Sequence, residues 1–535
     1  MEHKKDKILK IIIPLFIFIF AYALHHYFFA GFILGDDPRD VSEALRNIDG
    51  NPDFHDPHQL RFGSWFFIVL SFKLLGISEF SFFIIPGILS ASLSVIGYFI
   101  LTQLKYPRKQ ALVAALFVAS APFEVLISTV NANDLTLSWL LAIGVLSFLL
   151  FERKPILQGS ILGIVLWAAF YVKVWAIYFL PPLIAYYFFK YVKTKELRSA
   201  LSFLITTLIL FIITSIILKT KTGTFFHILY YHEETFVFAK NTLVHLFLEY
   251  PSLIFIGSEF ETTFFGYIPY LLLLLLVAKL LFSQLSISRL PRFDKLDYCL
   301  IASYCSFFLL LNFFPTTFKF DHFYSPPRIF RYLAPLSFLI TLHTSKLVLD
   351  FSKIVFQKKK VLMNCGTSLL FLLMISANIY QANDATSPGR MYRESLLSIV
   401  KDVQAQEPPI IITDSWLGFF LRKFYLKKFD NKIPAIFDQK CDVARDYEIG
   451  LKEIQPALPN GTILITGLAS YVYYGCRACD FRLNLFENPL NSSWHLYKEY
   501  NVLSYLSSPE PARLWRWTAQ NTTSRPIRQL VSCNN

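Results

Sequence analysis

Residues 11–40 read IIIPLFIFIFAYALHHYFFAGFILGDDPRD: a nearly unbroken apolar run that ends on two adjacent carboxylates, Asp36 and Asp37. A run of roughly 20 apolar residues is what a helix needs to cross a bilayer core. The preceding MEHKKDKILK supplies the basic flank of an export signal. No small-residue cleavage site follows the apolar core, so the sequence predicts a retained first transmembrane helix that also directs export.

The rest of the chain repeats that pattern. Of 535 residues, 54% are hydrophobic and 55 are Phe, a composition too apolar for a soluble protein of this length. The apolar residues gather in blocks at 11–30, 80–102, 111–128, 135–151, 157–172, 174–190, 199–218, 264–282, 297–313, 329–348 and 361–380. The fold class expected is a polytopic α-helical membrane protein of about 11 transmembrane helices. The net charge of +13 does not point to nucleic acid, because Lys and Arg lie in short clusters between the blocks, where they orient helices in a membrane.

Those clusters set a topology. With the N-terminus cytoplasmic, the cytoplasmic loops hold Lys105/Arg108/Lys109, Arg153/Lys154, Lys190/Lys193/Lys195/Arg198, Arg289/Arg292/Lys295 and Lys353/Lys358/Lys359/Lys360. All are short and basic, as the positive-inside rule requires. The opposite segments 31–79, 219–263 and 314–328 are longer and richer in acidic and aromatic residues. Residues 62–77, FGSWFFIVLSFKLLGI, are apolar too; counting them as a span would invert every later loop, so they are expected to lie in the interface.

An odd helix count leaves 381–535 on the outer side. There PPIIITDSW and GTILITGLASYVYY read as strands, WLGFFLRKFYLKKF between them as helix, and ARLWRWTA as a further strand or hairpin, together a small C-terminal α/β domain. Cys441, Cys476, Cys479 and Cys533 fall in it, and an oxidising compartment favours structural bridges or free thiols over a metal site, since the single CxxC has no partner pair.

Several residues could carry chemistry. Asp36-Asp37 beside a bilayer is either a solvated turn, as Gly35 and Pro38 suggest, or a general base for an incoming hydroxyl or amine. In DFHDPHQLRFG (53–63), His55, Asp56, His58 and Arg61 could bind a metal, hold an anion, or form an ordinary polar loop. Asp134, in STVNANDLTLSWLL, either caps a helix on the outer side or touches substrate. Lys173, in AAFYVKVWAIYF, either snorkels or holds an anion such as phosphate. In FDHFYSPPRIFRYLAPL, Arg328 and Arg331 are either interfacial anchors or a grip on a lipid phosphate. The aromatic FFHILYYHEETFVF (225–238) reads as a lid or interfacial helix.

The runs 61–101 and 111–141 resemble the bacterial members of the dolichyl-phosphate-mannose-protein mannosyltransferase family, whose relatives include the aminoarabinose transferases of lipid A, all within the glycosyltransferase C (GT-C) superfamily. The resemblance covers roughly residues 10–345. It implies a transferase domain over 1–380, with 31–79 as its outer-face catalytic loop. Asp36-Asp37 takes the place of the family's acidic pair, which implies that Asp36 is the base and Asp37 its helper. Asp134, Lys173 and the Arg331-Tyr332-Leu333-Ala334-Pro335 helix entry fall where the family has an Asp, a Lys and an Arg-Tyr-Leu-x-Pro.

Two departures bear on the acceptor: the usual Glu is Asp at 37, and His58-Gln59-Leu60-Arg61 replaces the common His-Pro-Pro-Leu. The implied activity is transfer of a sugar from a polyprenyl-phosphate donor to a hydroxyl or amine of a glycan, lipid or protein, at the outer face of a bacterial inner membrane, with no metal or cofactor. Two rival readings are a lipid-linked-sugar transporter, which would show inverted repeats and broken helices, and a non-catalytic scaffold.

Overall fold

The computed structural model describes residues 2–29, 31, 37–52, 54, 60–129, 133–225, 251, 254–255, 265–284, 293–313, 333–355, 360–413, 415–433, 459–466, 494–500 and 512–517. The chain forms two compact units. The first comprises Met1–Phe29, Glu43–Leu70 and Phe83–Ala385; the second comprises Ala30–Ser42, Ser71–Phe82 and Thr386–Asn535.

The helices are α1 (Glu2–Tyr27), α2 (Asp37–Ile48), α3 (Phe62–Leu75), α4 (Glu79–Gln103), α5 (Arg108–Ser120), α6 (Pro122–Ser128), α7 (Asn133–Leu150), α8 (Pro155–Val172), α9 (Leu180–Thr194), α10 (Arg198–Thr222), α11 (Ile268–Gln284), α12 (Lys295–Phe313), α13 (Ala334–Val355), α14 (Lys360–Gln406) and α15 (Ser415–Phe420). Every one of the eleven apolar blocks contains helix, and within segment 62–77 lies the short helix α3. The protein is a polytopic α-helical membrane protein. Among the described residues six helices are long and apolar enough to cross a bilayer by themselves, and seven if the bent pair α5–α6 counts as one.

One span is interrupted, and a second break in the helix follows the end of another. Ala121 is extended (φ −55°, ψ 128°) before Pro122, and α5 and α6 meet at 60°. Proline lacks the N–H that would continue α5, so carbonyls near its end need other donors. His25 bonds the Ala119 oxygen at 3.1 Å, and Asn378 Nδ2 donates to the Phe117 oxygen at 3.4 Å and Ser120 Oγ at 3.2 Å. The second break falls at Lys173, an extended residue between α8 and the 3-10 turn Val174–Phe179.

Close packing of α8 on α10 follows from a GxxxG run, Gly159-Ser160-Ile161-Leu162-Gly163. A Cβ at Gly159 would run into the Ser199 carbonyl oxygen, and one at Gly163 would stand 2.9 Å from the Phe203 oxygen. Ser160 and Ser202 share a 2.7 Å hydrogen bond across the same seam.

Charges buried within the spans are neutralised as a group. Lys279 on α11 bonds Asp297 at 2.8 Å and Asp350 at 3.1 Å. Lys346 on α13 bonds Asp297 at 2.7 Å, Asp294 at 2.9 Å and Asp350 at 3.2 Å. His343 Nε2 lies 3.1 Å from Asp297 Oδ1, and the Tyr106 hydroxyl donates to Asp350 at 2.5 Å. Mutual pairing is what lets α12 and α13 keep such residues away from water.

In the second unit, α14 runs on to Gln406, past the end expected at 380. A four-stranded sheet follows, in the order β1 (Ile411–Ile412), β2 (Ile463–Thr466), β4 (Ala512–Trp517), β3 (Trp494–Tyr500). β1 pairs parallel to β2, and β4 pairs antiparallel to both β2 and β3. Ile463, Leu464 and Ile465 are all buried, as an inner strand with two covered faces requires. The helix-like WLGFFLRKFYLKKF becomes α15, a π-helical turn over Leu421–Tyr425 and a 3-10 turn over Lys427–Lys432. Cys441, Cys476, Cys479 and Cys533 lie outside the described residues.

Candidate functional site

Asp134 and Lys173, chosen from separate stretches of sequence, form one ion pair. Asp134 opens α7 in its first turn, where a carboxylate suits the helix dipole. Lys173 sits at the end of α8, and its extended backbone turns the chain so that Nζ stands 2.5 Å from Asp134 Oδ1. Both are buried, at 1% and 8% exposure, so neither residue snorkels to water. The ammonium also faces the Trp175 ring, 4.7 Å from its centroid. Around them Leu137, Ala169, Val172 and Ala176 form an apolar packing that strengthens the attraction.

The pair leaves acceptor capacity open. A carboxylate has about four lone-pair sites. Asp134 Oδ2 and, next to it in sequence, Asn133 Oδ1 are buried without a hydrogen-bond partner among the described residues. Buried acceptors of this kind cost free energy unless a donor arrives.

The segment between α2 and α3 is anchored to the same place. Leu60 and Phe62 flank Arg61 and pack against Tyr171 and Val174, on either side of Lys173. The Phe62 ring lies 5.5 Å from both Tyr171 and Trp167, and Gly63 rests against Val172, where a Cβ would come within 3.4 Å of the Val172 backbone. Partly buried Arg61 is therefore delivered beside the α8 break. α10 ends close by with Lys219 and Lys221, the latter 5.8 Å from the Phe54 ring of the same loop. The result is a basic end to the bundle, with one buried carboxylate in it.

Of the other candidates, Asp37 is the first residue of α2, and Pro38 after it suits a first helical turn. Asp36, His55, Asp56, His58, Arg328, Arg331 and residues 226–238 lie outside the described residues. Among the described residues no group of three His, Cys, Asp or Glu side chains is placed to hold a metal.

Three carboxylates were not singled out by sequence. Asp40 and Glu43, one helical turn apart on α2, are buried at 1% exposure each. Their signal was present: DPRDVSEALRNI puts both on the face that carries Val41 and Ala44. Glu124, on α6 just after the Pro122 break, is buried and accepts a hydrogen bond from Ser337. A lone acid in PFEVLIS is the kind of intramembrane charge that marks a function by default.

Comparison with known proteins bears on the fold. Residues 62–218, which hold α3 and the Asp134–Lys173 pair, match the family model described as dolichyl-phosphate-mannose-protein mannosyltransferase. No curated protein matches the chain in sequence. Among solved structures, ArnT from Cupriavidus metallidurans in the apo state is similar over 96% of this chain and 98% of its own, with TM-score 0.53 and 12% identity. The same protein bound to undecaprenyl phosphate is similar over 97% and 99%, with TM-score 0.54 and 12% identity. The chain thus shares the fold of ArnT over nearly its whole length. Its segment 62–218 is similar to the dolichyl-phosphate-mannose-protein mannosyltransferase family, within the stretch where the motifs in 61–141 led us to expect it.

Proposed function

We propose that the protein is an inverting glycosyltransferase that moves a sugar from a polyprenyl-phosphate donor to a hydroxyl or amine. The acceptor is a glycan, lipid or protein of the cell envelope, met at the outer face of a bacterial inner membrane. In this reading the N-terminus is cytoplasmic, and 381–535 is an extracytoplasmic domain following the transferase domain 1–380. The observation that carries the proposal is the buried Asp134–Lys173 pair with its open acceptor atoms, inside the 62–218 segment that matches the family. The structurally similar ArnT bound to undecaprenyl phosphate supports a lipid-phosphate donor.

The reaction balances without a cofactor. Asp36 takes the proton of the acceptor O–H or N–H as that atom attacks the anomeric carbon. The bond from that carbon to the donor phosphate oxygen breaks, and its electron pair leaves with the polyprenyl phosphate. Asp37 supports the base, and His58 and Arg61 place the acceptor. Lys173, Arg328 and Arg331 face the charge that grows on the leaving phosphate. Asp134 holds Lys173 in place and offers its second oxygen to a sugar hydroxyl.

One observation favours a transporter of the same lipid: the span α5–α6 is broken at Ala121–Pro122. Chemistry separates the two readings. Purified protein given labelled polyprenyl-phosphate sugar and a membrane extract as acceptor source should release polyprenyl phosphate and transfer label. Asp36→Asn should lower that rate by about 10²–10⁴-fold. Equal release by both proteins would overturn the assignment, and movement of intact donor across the bilayer would favour transport.

A further inference from the structure

Segment 31–79, which carries the acidic pair, is held at both ends by one side chain. Gly31 lies at the start of the segment with φ +79°, a conformation that favours glycine. The stem of Arg393 covers it so closely that a Cβ there would stand 2.5 Å from Cδ and 2.9 Å from Cγ. The guanidinium of the same side chain forks onto Glu79 at the far end of the segment. Nε donates to Oε1 at 3.0 Å and Nη2 to Oε2 at 2.9 Å.

Other residues of the C-terminal segment tighten this grip. The Tyr425 hydroxyl donates to Glu79 Oε1 at 2.8 Å, and Lys427 Nζ reaches the Ile77 carbonyl oxygen at 2.7 Å. Burial, reinforced by the Glu79 charge, pushes the Tyr425 hydroxyl far above its ordinary pKa, so it remains a donor. The turn before Glu79 is closed internally: Ser81 Oγ donates to the Gly76 oxygen at 2.6 Å and accepts from the Ser78 amide at 2.9 Å.

We propose that Arg393 is a positioning residue that clamps Gly31 to Glu79 and so fixes the start of α2 at Asp37, the residue that follows Asp36 in sequence. The bidentate fork suits this task, because two parallel bonds fix direction as well as distance. Residues 30–42, 71–82 and 386–535 form one compact unit, so the clamp is internal to it. The C-terminal segment would then act in the reaction through geometry, without touching substrate. This inference rests on the reading of Asp36 as the base.

The test uses the full chain in lipid nanodiscs, with Arg393→Lys, Glu79→Gln and Gly31→Ala. Gly31→Ala keeps every charge but strains the left-handed backbone as well as displacing the stem, so its effect is read together with that of Arg393→Lys. Two readouts are taken: amide hydrogen exchange over Asp37–Ser42, and kcat and KM with labelled polyprenyl-phosphate sugar. Each variant should speed exchange at Asp37–Ser42 by about tenfold. Each should lower kcat by about 10–100-fold with donor KM within about twofold, as a misplaced catalytic group does. Unchanged exchange there in Arg393→Lys and Gly31→Ala, or exchange raised equally across the whole chain, overturns the clamp. If the wild-type protein transfers no sugar, the enzymatic reading fails, while the exchange data still decide the clamp.

Discussion

Asp297 and Asp134 are both buried carboxylates bonded to lysine, yet their surroundings differ in kind. Lys295, two residues before Asp297, bonds Glu152 at 2.8 Å just beyond the C-terminal end of α7, whereas Asp134 opens that helix. The two clusters thus stand at opposite ends of an 18-residue helix, about 27 Å apart at 1.5 Å per residue. Asp297 is bonded on both oxygens by Lys279, Lys346 and His343, and the lysines reach Asp350 and Asp294 as well. Asp134 has one lysine on one oxygen, and the other oxygen is open. A saturated network has nothing left to offer a ligand, and an unsaturated one does.

The largest effect separating them should be on stability. Asp297→Ala leaves Lys279 and Lys346 buried with one of their two shared counter-charges gone, which costs about 3–5 kcal/mol for a broken buried pair. The folded fraction recovered in mild detergent and the unfolding temperature should both fall sharply. A variant that unfolds within a degree or two of wild type would erase the contrast, since the saturated cluster would then carry no more structure than the open one.

A double-mutant cycle at the other end sharpens it. Asp134→Asn and Lys173→Met each leave a buried group without its partner, so each single change lowers stability. The double variant removes both charges and should recover most of that loss, with a coupling of about 0.5–3 kcal/mol. Sugar transfer should stay down about 10²–10³-fold in all three variants, because the charge facing the leaving phosphate is missing or misplaced. Recovery of transfer along with stability in the double variant would make the pair a structural bridge like the one around Asp297.

Much of this was legible in the sequence, for reasons that can be stated. Apolar blocks register directly as helices, because a bilayer demands length and backbone self-satisfaction from each span. Asp134 and Lys173 stood out singly as charges in apolar runs, but their pairing across 39 residues is a tertiary fact. Lys173 looked chargeless in its neighbourhood only because its partner comes from another helix.

Neither Glu79 nor Arg393, in SPGRMYRES, was singled out by the sequence. Pro388 and Gly389 in that stretch argue for a helix end. Instead α14 continues through them, with Ala382, Ala385, Thr386, Tyr392 and Leu396 buried along its course. Local propensity lost there to packing, and with it the sequence reading lost sight of the clamp.

A third ion pair, in the second unit, marks the weak end of the scale. Asp402 accepts from Lys498 Nζ at 2.7 Å and from the Tyr500 hydroxyl at 2.5 Å. Slight burial would raise its carboxyl pKa, but the bonds from Lys498 and Tyr500 outweigh that and hold it below the ordinary value. A carboxyl lowered in the folded state stabilises fully above its unfolded pKa of about 3.9, and that stability fades as pH falls through the folded pKa. The side chain of Lys498 is 49% exposed, so solvent screens the attraction. Asp402→Asn should therefore cost only about 0.2–1 kcal/mol near neutral pH, less in high salt, and nothing once the pH is well below the lowered folded pKa. Unfolding of the full chain followed by Trp fluorescence, with Trp494, Trp515 and Trp517 in β3 and β4 as reporters, would measure this. A cost near that of Asp297→Ala would mean that exposure does not rank these pairs, and the contrast between saturated, open and solvated carboxylates would lose its physical basis.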